Sequence, residues 1–388
     1  MKKKGFYSAP SPCYVVDEQS LMANLAVVDR VRREADVEII VALKACAMWS
    51  IFGLLAEHSD GATASSLSEA RLVNEKFVRG GDEPFSTLSH TYAPIYTDEQ
   101  IDEILSLSSH ITFNSLAHYE RHAAKAHAAG VSCGLRVNPR YSPVETDLYN
   151  PCIEGSRLGV VSEQLRELPE GVEGLHFHVL CESRAEHLRL ALEAVEREFG
   201  ELLPRLKWLN MGGGHLMTNA DYDCDELITI LKEFKAKYPH LRLIMEPGSA
   251  FTWRTGVLMA RVEDVVRNGS TTTAMVNVSF VCHMPDCLEM PYKPSIVGAK
   301  DPEEGEQGWQ LGGNSCLAGD YMGEWVFADG HEPQVGEVIV FEDMIHYTMV
   351  KTTMFNGVSH PAIAILRKSG DLEVVREFGY EDYKERMS

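Results

Sequence analysis

The stretch "EIIVALKACAMW", residues 38–49, begins with an apolar, β-branched run and sets a lysine, Lys44, at its end. A short run of this kind reads as a buried strand. An ammonium group is costly to bury, and lysine is rarely inside a protein unless it is paired or chemically used. A strand-end lysine ordinarily snorkels into water. What the rest of the chain sets beside Lys44 decides between the two.

The strand-then-helix order repeats from residue 20 to residue 250. "SLMANLAVVDRVRREA" has helical apolar spacing and precedes the opening strand. Beyond it, "SIFGLLAEH", "LSEARLVNEKFVRGG" (closed by its glycines), "DEQIDEILSLS", "LAHYERHAAKAHAAG", "RAEHLRLALEAVEREFG" and "DCDELITILKEFKAKYP" read as helices. "GATAS", "HITFNS", "VSCGLRVNP", "GVEGLHFHV", "RLKWLNMGGG" and "LRLIMEPGS" read as the strands between them. The pattern predicts an α/β fold, a parallel (β/α)8 barrel with its chemistry at the carboxyl ends of the strands. From residue 251 to 388 the texture changes to short strands split by Gly, Pro and Asp turns, which predicts an antiparallel β domain. Segment 1–19, with the strand "PCYVVD", is expected to join that domain.

The chain has 388 residues, 45% of them hydrophobic, enough for two cores. No apolar stretch approaches the roughly 20 residues of a membrane span. The basic start, "MKKKGFYSAPSPCYVV", lacks the apolar core of a signal peptide. Nine scattered cysteines without a CxxC pair argue against a disulfide framework or a zinc ribbon. A soluble, cytoplasmic protein is expected. The net charge of −21 disfavours nucleic acid and anionic membranes and suits a cationic small-molecule partner.

Unusual polar residues collect at the predicted strand ends: Lys44, Ser65, Asn114, Arg136, Asn138, His176, His178, the glycines of "NMGGGH" and Glu246 in "LIMEPG". A desolvated lysine has a lowered pKa and can condense with an aldehyde cofactor. A glycine turn lets backbone N–H groups approach a phosphate. It is not the dinucleotide fingerprint, because GxGxxG is absent. A carboxylate facing a pyridine nitrogen strengthens an electron sink. His176 and His178 also have metal-ligand spacing, so a metal-dependent barrel hydrolase stays open as a competitor. In that reading Lys44 is idle, and no other His/Asp/Glu cluster completes a site.

Taken in order, "VALK", "HFHV", "GGG", "EPG", "SCLAGD" and "HYTMVKTTMFNG" resemble the fold type III pyridoxal-phosphate decarboxylases, an alanine-racemase-like barrel plus a β domain. The resemblance covers nearly the whole chain. Within that group, "LCE" after "HFHV", "HMPDCLEMPYKPS" and "NSCLAGDYMG" are similar to carboxynorspermidine/carboxyspermidine decarboxylase.

The resemblance implies pyridoxal 5'-phosphate held by Lys44, with His178 stacked on its ring and Glu246 paired with the ring nitrogen. It implies Arg136 on the ring-oxygen side and Gly213, Gly214 and Tyr347 at the phosphate. It further implies a homodimer in which Cys316 of one subunit protonates product in the other. Asp286 and Asp320 would face the amines of a cationic substrate, and no metal is implied. The chain departs from ornithine-type enzymes at Leu180-Cys181 (Gly-Ser there), at Ser249 (Arg there), which is left on the substrate side, and at Leu317 (acidic there). The implied reaction is decarboxylation of carboxynorspermidine or carboxyspermidine. The alternatives are a diaminopimelate-type decarboxylase, which needs a cationic contact for its substrate's second carboxylate, and a non-catalytic cofactor carrier. Against the carrier stands the β domain with Cys316 and Tyr347.

Overall fold

The computed structural model describes residues 4–77, 89–290 and 292–388. Gly80 and Gly81, expected to close the third helix, lie outside the described residues. Two compact units emerge: Asn24–Phe251, and Met1–Ala23 together with Thr252–Ser388.

The first unit is a closed barrel of eight parallel strands. They are Glu38–Ala42, Gly61–Ala64, Ser89–Tyr92, His110–Phe113, Ser132–Arg136, Val172–His176, Trp208–Asn210 and Arg242–Met245. The first and last close the ring in the register Glu38↔Ile244 and Ile39↔Met245. Seven of these strands follow the sequence reading. The third, Ser89–Tyr92, does not, because "SHTY" carries no apolar run to announce it. Helices Phe52–Glu57, Leu67–Lys76, Ile101–Leu107, Leu116–Ala128, Ala185–Phe199 and Cys224–Lys237 connect the strands. Side-chain oxygens start several of them: Ser66 accepts from the Glu69 N–H, Ser115 from His118 and Asp223 from Glu226. Between the fifth and sixth strands the connection is a loop with one 3-10 turn, Asp147–Tyr149.

Trp208 fills the barrel interior beside Ile40 and Ile244. Gly134 and Gly174, on the two preceding strands, make room for it, since a Cβ on either would collide with the indole ring. Its Nε1 donates to Ser132 Oγ at 2.9 Å, so the one polar atom of the plug is satisfied.

The second unit is a nine-stranded sheet. Strand Cys13–Asp17 pairs parallel with Ala362–Leu366 and antiparallel with Gly256–Asn268. Strand Thr271–Val276 is also parallel to Trp309–Gly312, so the sheet is mostly rather than wholly antiparallel. Phe6, Cys13, Val15, Val257, Met259, Val340 and Ala364 form its core. Two short helices, Phe280–His283 and Pro285–Glu289, follow strand Thr271–Val276, the first of them starting where the strand reading "TTTAMVNVSF" ends.

Candidate active site

Lys44 stands two residues beyond the first barrel strand, in a turn held by the Leu43 N–H donating to Thr63 O and the Ala45 N–H to Ala42 O. Water can reach its side chain, yet the protein around it desolvates the ammonium. Burial, with the Arg136 guanidinium nearby, holds its pKa below the usual lysine value, and Glu246 opposes this. Lys44 Nζ lies 3.2 Å from His178 Nε2. The sixth strand ends at His176, which places His178 in the following loop rather than on the same strand face. There its Nδ1 accepts from the Gly213 N–H at 2.9 Å. Burial, then the cations Lys44 and Arg136, push its pKa well below the usual histidine range.

Glu246 follows the eighth strand. Its backbone N–H donates to Gly212 O at 2.7 Å, and its Oε1 accepts from Asn210 Nδ2 at 2.7 Å. Burial raises its pKa, while Asn210, Lys44, Thr63 and Arg136 pull the other way. His90 Nδ1 and His176 Nε2 stand 3.9 and 3.8 Å from its two oxygens. Arg136 ends the fifth strand, and its two amino groups donate to Tyr92 OH at 2.8 Å and His178 O at 3.2 Å. The Tyr92 hydroxyl then donates to Asn114 Oδ1.

The glycine turn depends on having no side chains. Gly212 and Gly214 have φ of +67° and +91°. A Cβ on Gly213 would strike the Glu246 carbonyl, and one on Gly214 the Leu180 carbonyl. The Ser183 N–H donates to Gly214 O at 2.8 Å, pinning the turn to the loop that carries Leu180-Cys181.

The barrel thus brings together Lys44, Arg136, His178, Gly213, Gly214 and Glu246. Asn114 joins them through Tyr92. Ser65 instead donates its N–H to Glu69 Oε2, and Asn138 builds its own loop by bonding the Arg140 N–H and Pro151 O. Ser249 opens a four-residue helix after Pro247-Gly248. His90, Tyr92, Thr63 and Asn210 were not singled out from the sequence. A strand was owed between the helices at 67–76 and 101–107, and that count was the signal for His90 and Tyr92. Asn210 sat in view, directly before "MGGG". His176 turns to Glu246 and His178 to Lys44, so the two imidazoles serve different partners. Among the described residues no three His, Cys, Asp or Glu side chains are grouped to hold a metal ion.

The other unit carries the remaining sequence candidates. Asp286 lies in helix Pro285–Glu289 and is 5% exposed. Its Oδ2 accepts from Tyr292 OH at 2.7 Å and Thr348 Oγ1 at 2.8 Å, while Oδ1 is buried without a hydrogen-bond partner. The Asp320 carboxylate accepts from three backbone N–H groups, of Phe280, Val281 and Ser315, which fixes the loop bearing Cys316. Cys316 is exposed, and its N–H donates to Asn356 Oδ1 at 2.9 Å. Tyr347, next to Thr348, has φ +56°.

A desolvated lysine of lowered pKa, a neutral imidazole, a buried carboxylate and a side-chain-free turn converge on one barrel end. They fit pyridoxal phosphate: an amine for its aldehyde, a flat ring for its face, a carboxylate for its pyridine nitrogen and bare N–H groups for its phosphate.

The chain belongs to the pyridoxal-dependent decarboxylases. The family profile described as "Pyridoxal-dependent decarboxylase, C-terminal sheet domain" matches residues 13–345. It is a carboxy-lyase whose cofactor is pyridoxal phosphate. It is 51% identical over 382 residues to the carboxyaminopropylagmatine decarboxylase of Synechocystis, covering 98% of this chain and 96% of that protein. It is 37% identical over 388 residues to the carboxynorspermidine/carboxyspermidine decarboxylase of Campylobacter jejuni, covering 97% and 98%. The crystal structure of carboxynorspermidine decarboxylase from that organism, complexed with norspermidine, superposes with a TM-score of 0.88 at 36% identity, covering 97% of this chain and all of that one. No helix among the described residues is long and apolar enough to cross a membrane.

Proposed function

We propose that this decarboxylase acts on carboxynorspermidine or carboxyspermidine, giving norspermidine or spermidine in polyamine biosynthesis. The observation that carries the reading is full-length similarity to the C. jejuni enzyme, whose structure contains norspermidine. The acidic chain, at −21, suits a substrate with several ammonium groups. A second reading has its own support. The 51% identical relative is named for carboxyaminopropylagmatine, whose far end is a guanidinium rather than an amine.

In the reaction, R–CH(NH3+)–CO2− takes up one proton and leaves as R–CH2–NH3+ and CO2. The bound cofactor supplies a sink for the electron pair that CO2 leaves at the α-carbon. Lys44 would hold the cofactor through its amine. Glu246, held by Asn210 and Thr63, would keep the pyridine nitrogen protonated. Neutral His178 would cover one ring face without adding a positive charge, and Arg136, held by Tyr92 OH and His178 O, would support the ring-oxygen side. Gly213 and Gly214 would hold the phosphate, with Tyr347 assigned to it by the resemblance alone.

The rest of the assignment concerns the second unit. Asp286 is assigned to the amine end of the substrate, for which its Oδ1 is unengaged, and Ser249 is kept on the substrate side as the resemblance implies. Asp320 adds negative charge and holds the Cys316 loop. Cys316, from the partner subunit of a homodimer, returns a proton to the α-carbon. Nine free thiols suit the reducing cytoplasm.

The test is CO2 release by purified, cofactor-loaded protein from carboxynorspermidine, carboxyspermidine, carboxyaminopropylagmatine, diaminopimelate and ornithine in parallel. Turnover confined to the two carboxylated triamines supports the first reading. Highest kcat/KM on carboxyaminopropylagmatine selects the second. Turnover of diaminopimelate or ornithine alone overturns both and leaves Lys44 and the barrel standing.

A further inference from the structure

We propose that Asn210 is a positioning residue that locks Glu246 and the glycine turn to one another, so that one amide sets both the ring-nitrogen end and the phosphate end of the cofactor site. The inference rests on pyridoxal phosphate occupying this barrel end.

Asn210 ends the seventh strand and is 1% exposed. Its Nδ2 donates to Glu246 Oε1 at 2.7 Å, and its Oδ1 accepts from the Gly212 N–H at 2.9 Å. The Gly212 carbonyl in turn accepts from the Glu246 N–H at 2.7 Å. These three bonds close a ring through two strand ends and the turn. A carboxylate only accepts and an amide N–H only donates, so the side-chain amide of Asn210 has one orientation that satisfies both. Its second Nδ2 hydrogen points to His90 Nδ1, 3.4 Å away.

The other groups facing Glu246 come from strands and strand ends other than that of Asn210, with His90 and Tyr92 sharing the third. They are the cations Lys44 and Arg136, the phenol of Tyr92, the imidazoles of His90 and His176, and the hydroxyl of Thr63. The two imidazoles are too far from the carboxylate to bond it directly. Asn210 and Thr63 are the hydrogen-bonding neighbours that do not titrate. Burial favours the protonated carboxyl, and the Asn210 bond heads the influences that oppose it. The same side chain also keeps Gly212 at its positive φ, and with it the place of Gly213 and Gly214.

Asn210→Asp and Asn210→Ala separate the two halves of this role. Aspartate keeps the acceptor for Gly212 but sets a second carboxyl against Glu246, and the pair then retains a proton. The visible band of Lys44-linked cofactor in Asn210→Asp should change at a pH displaced by about one unit or more from wild type. Asn210→Ala loses both bonds, and its apo form should bind pyridoxal phosphate about tenfold more weakly in a titration followed by absorbance. The apo melting temperature of Asn210→Asp should stay near the wild-type value. Unchanged affinity and pH dependence in both variants overturn the proposal. So does a lowered apo melting temperature with an unchanged pH profile, because that describes a purely structural residue. Wild-type protein that takes up no pyridoxal phosphate overturns the cofactor reading itself, and this inference with it.

Discussion

Lys44 Nζ lies 3.2 Å from His178 Nε2, while the Gly213 N–H donates to Nδ1 of the same ring. A backbone N–H can only donate, so Nδ1 accepts, and the neutral ring carries its proton on Nε2. That proton points at the Lys44 nitrogen, which accepts through its lone pair. The geometry is satisfied by an uncharged amine beside an uncharged imidazole. Burial lowers both pKa values in the same sense. The lysine that ends the apolar run of the quoted stretch is therefore held among buried polar partners rather than snorkelling into water, as the proposed cofactor attachment requires.

Lys44→Ala should lose the visible absorbance of bound cofactor together with detectable CO2 release, while its circular dichroism spectrum stays that of wild type. Residual turnover at the wild-type rate would remove Lys44 from the chemistry.

Arg136→Gln tests the electrostatic half of this arrangement. After burial, the guanidinium is the strongest influence lowering the Lys44 pKa. The neutral, reactive amine grows as pH rises through that lowered value. Removing the cation raises the value, so cofactor attachment must move to higher pH. Stopped-flow absorbance of apo protein mixed with pyridoxal phosphate across a pH series reads the shift directly. A profile that stays put, or moves to lower pH, contradicts the assignment.

Gly174→Ala should destabilise the barrel by about 2 kcal/mol, because the added methyl overlaps Trp208 in a packed interior. Urea unfolding measures the loss. If the indole is the cause, Trp208→Leu in the same chain must recover part of it, an interaction energy that a double-mutant cycle isolates. Strictly additive effects of the two changes would assign the cost to something else.

The pairing of Gly174 with Trp208 illustrates what a sequence conceals. Lys44, Arg136, His178 and Glu246 were legible because a polar residue at the end of an apolar strand contradicts its surroundings. The strand Ser89–Tyr92 was not legible, since none of its residues is aliphatic: His90 and Tyr92 meet polar and aromatic groups inside the barrel, while Ser89 and Thr91 bond Leu107 O and Ser108 Oγ on its other face. His90 stacks on His110 with ring centres 4.3 Å apart, and both meet the edge of Trp208. Only closure of the ring brings those side chains together. The parallel pairing of Cys13–Asp17 with Ala362–Leu366 is hidden for the same reason, being a contact between opposite ends of the chain.

Asp29 anchors helix Glu18–Ala35 to the barrel through Arg32 at 2.9 Å and His58 at 2.6 Å, and Arg32 continues to Asp60 at 2.7 Å. Burial pushes the Asp29 carboxyl up, but the bonds from His58 and Arg32 prevail and leave it below its ordinary 3.8. Folding therefore favours the ionised form. That stabilisation is complete above the unfolded value and disappears as pH falls through the lower folded one. Asp29→Asn should lose about 2 kcal/mol at neutral pH, the worth of charge-assisted hydrogen bonds to partners that are only half-buried. Its deficit against wild type should shrink in acid unfolding below pH 3.8. A deficit that is constant with pH would deny the ion pair any part in it.

Cys316 gives the strictest test of a shared site. Its thiol is exposed on a loop that Asp320 fastens by accepting from three backbone amides, a rigid presentation that suits the proposed proton donor. As a general acid it should contribute on the order of a hundredfold to turnover, so Cys316→Ala and Lys44→Ala are each nearly inactive alone. If each site takes Lys44 from one subunit and Cys316 from its partner, unfolding and refolding the two variants together forms mixed dimers. Half of the dimers are then mixed, and each has one complete site, which predicts about a quarter of wild-type turnover. If both residues of a site came from one chain, every site in the mixture would lack one of them and activity would not return. Activity recovered in the mixture and absent from either variant refolded alone is thus the signature of a site built across two copies of this chain.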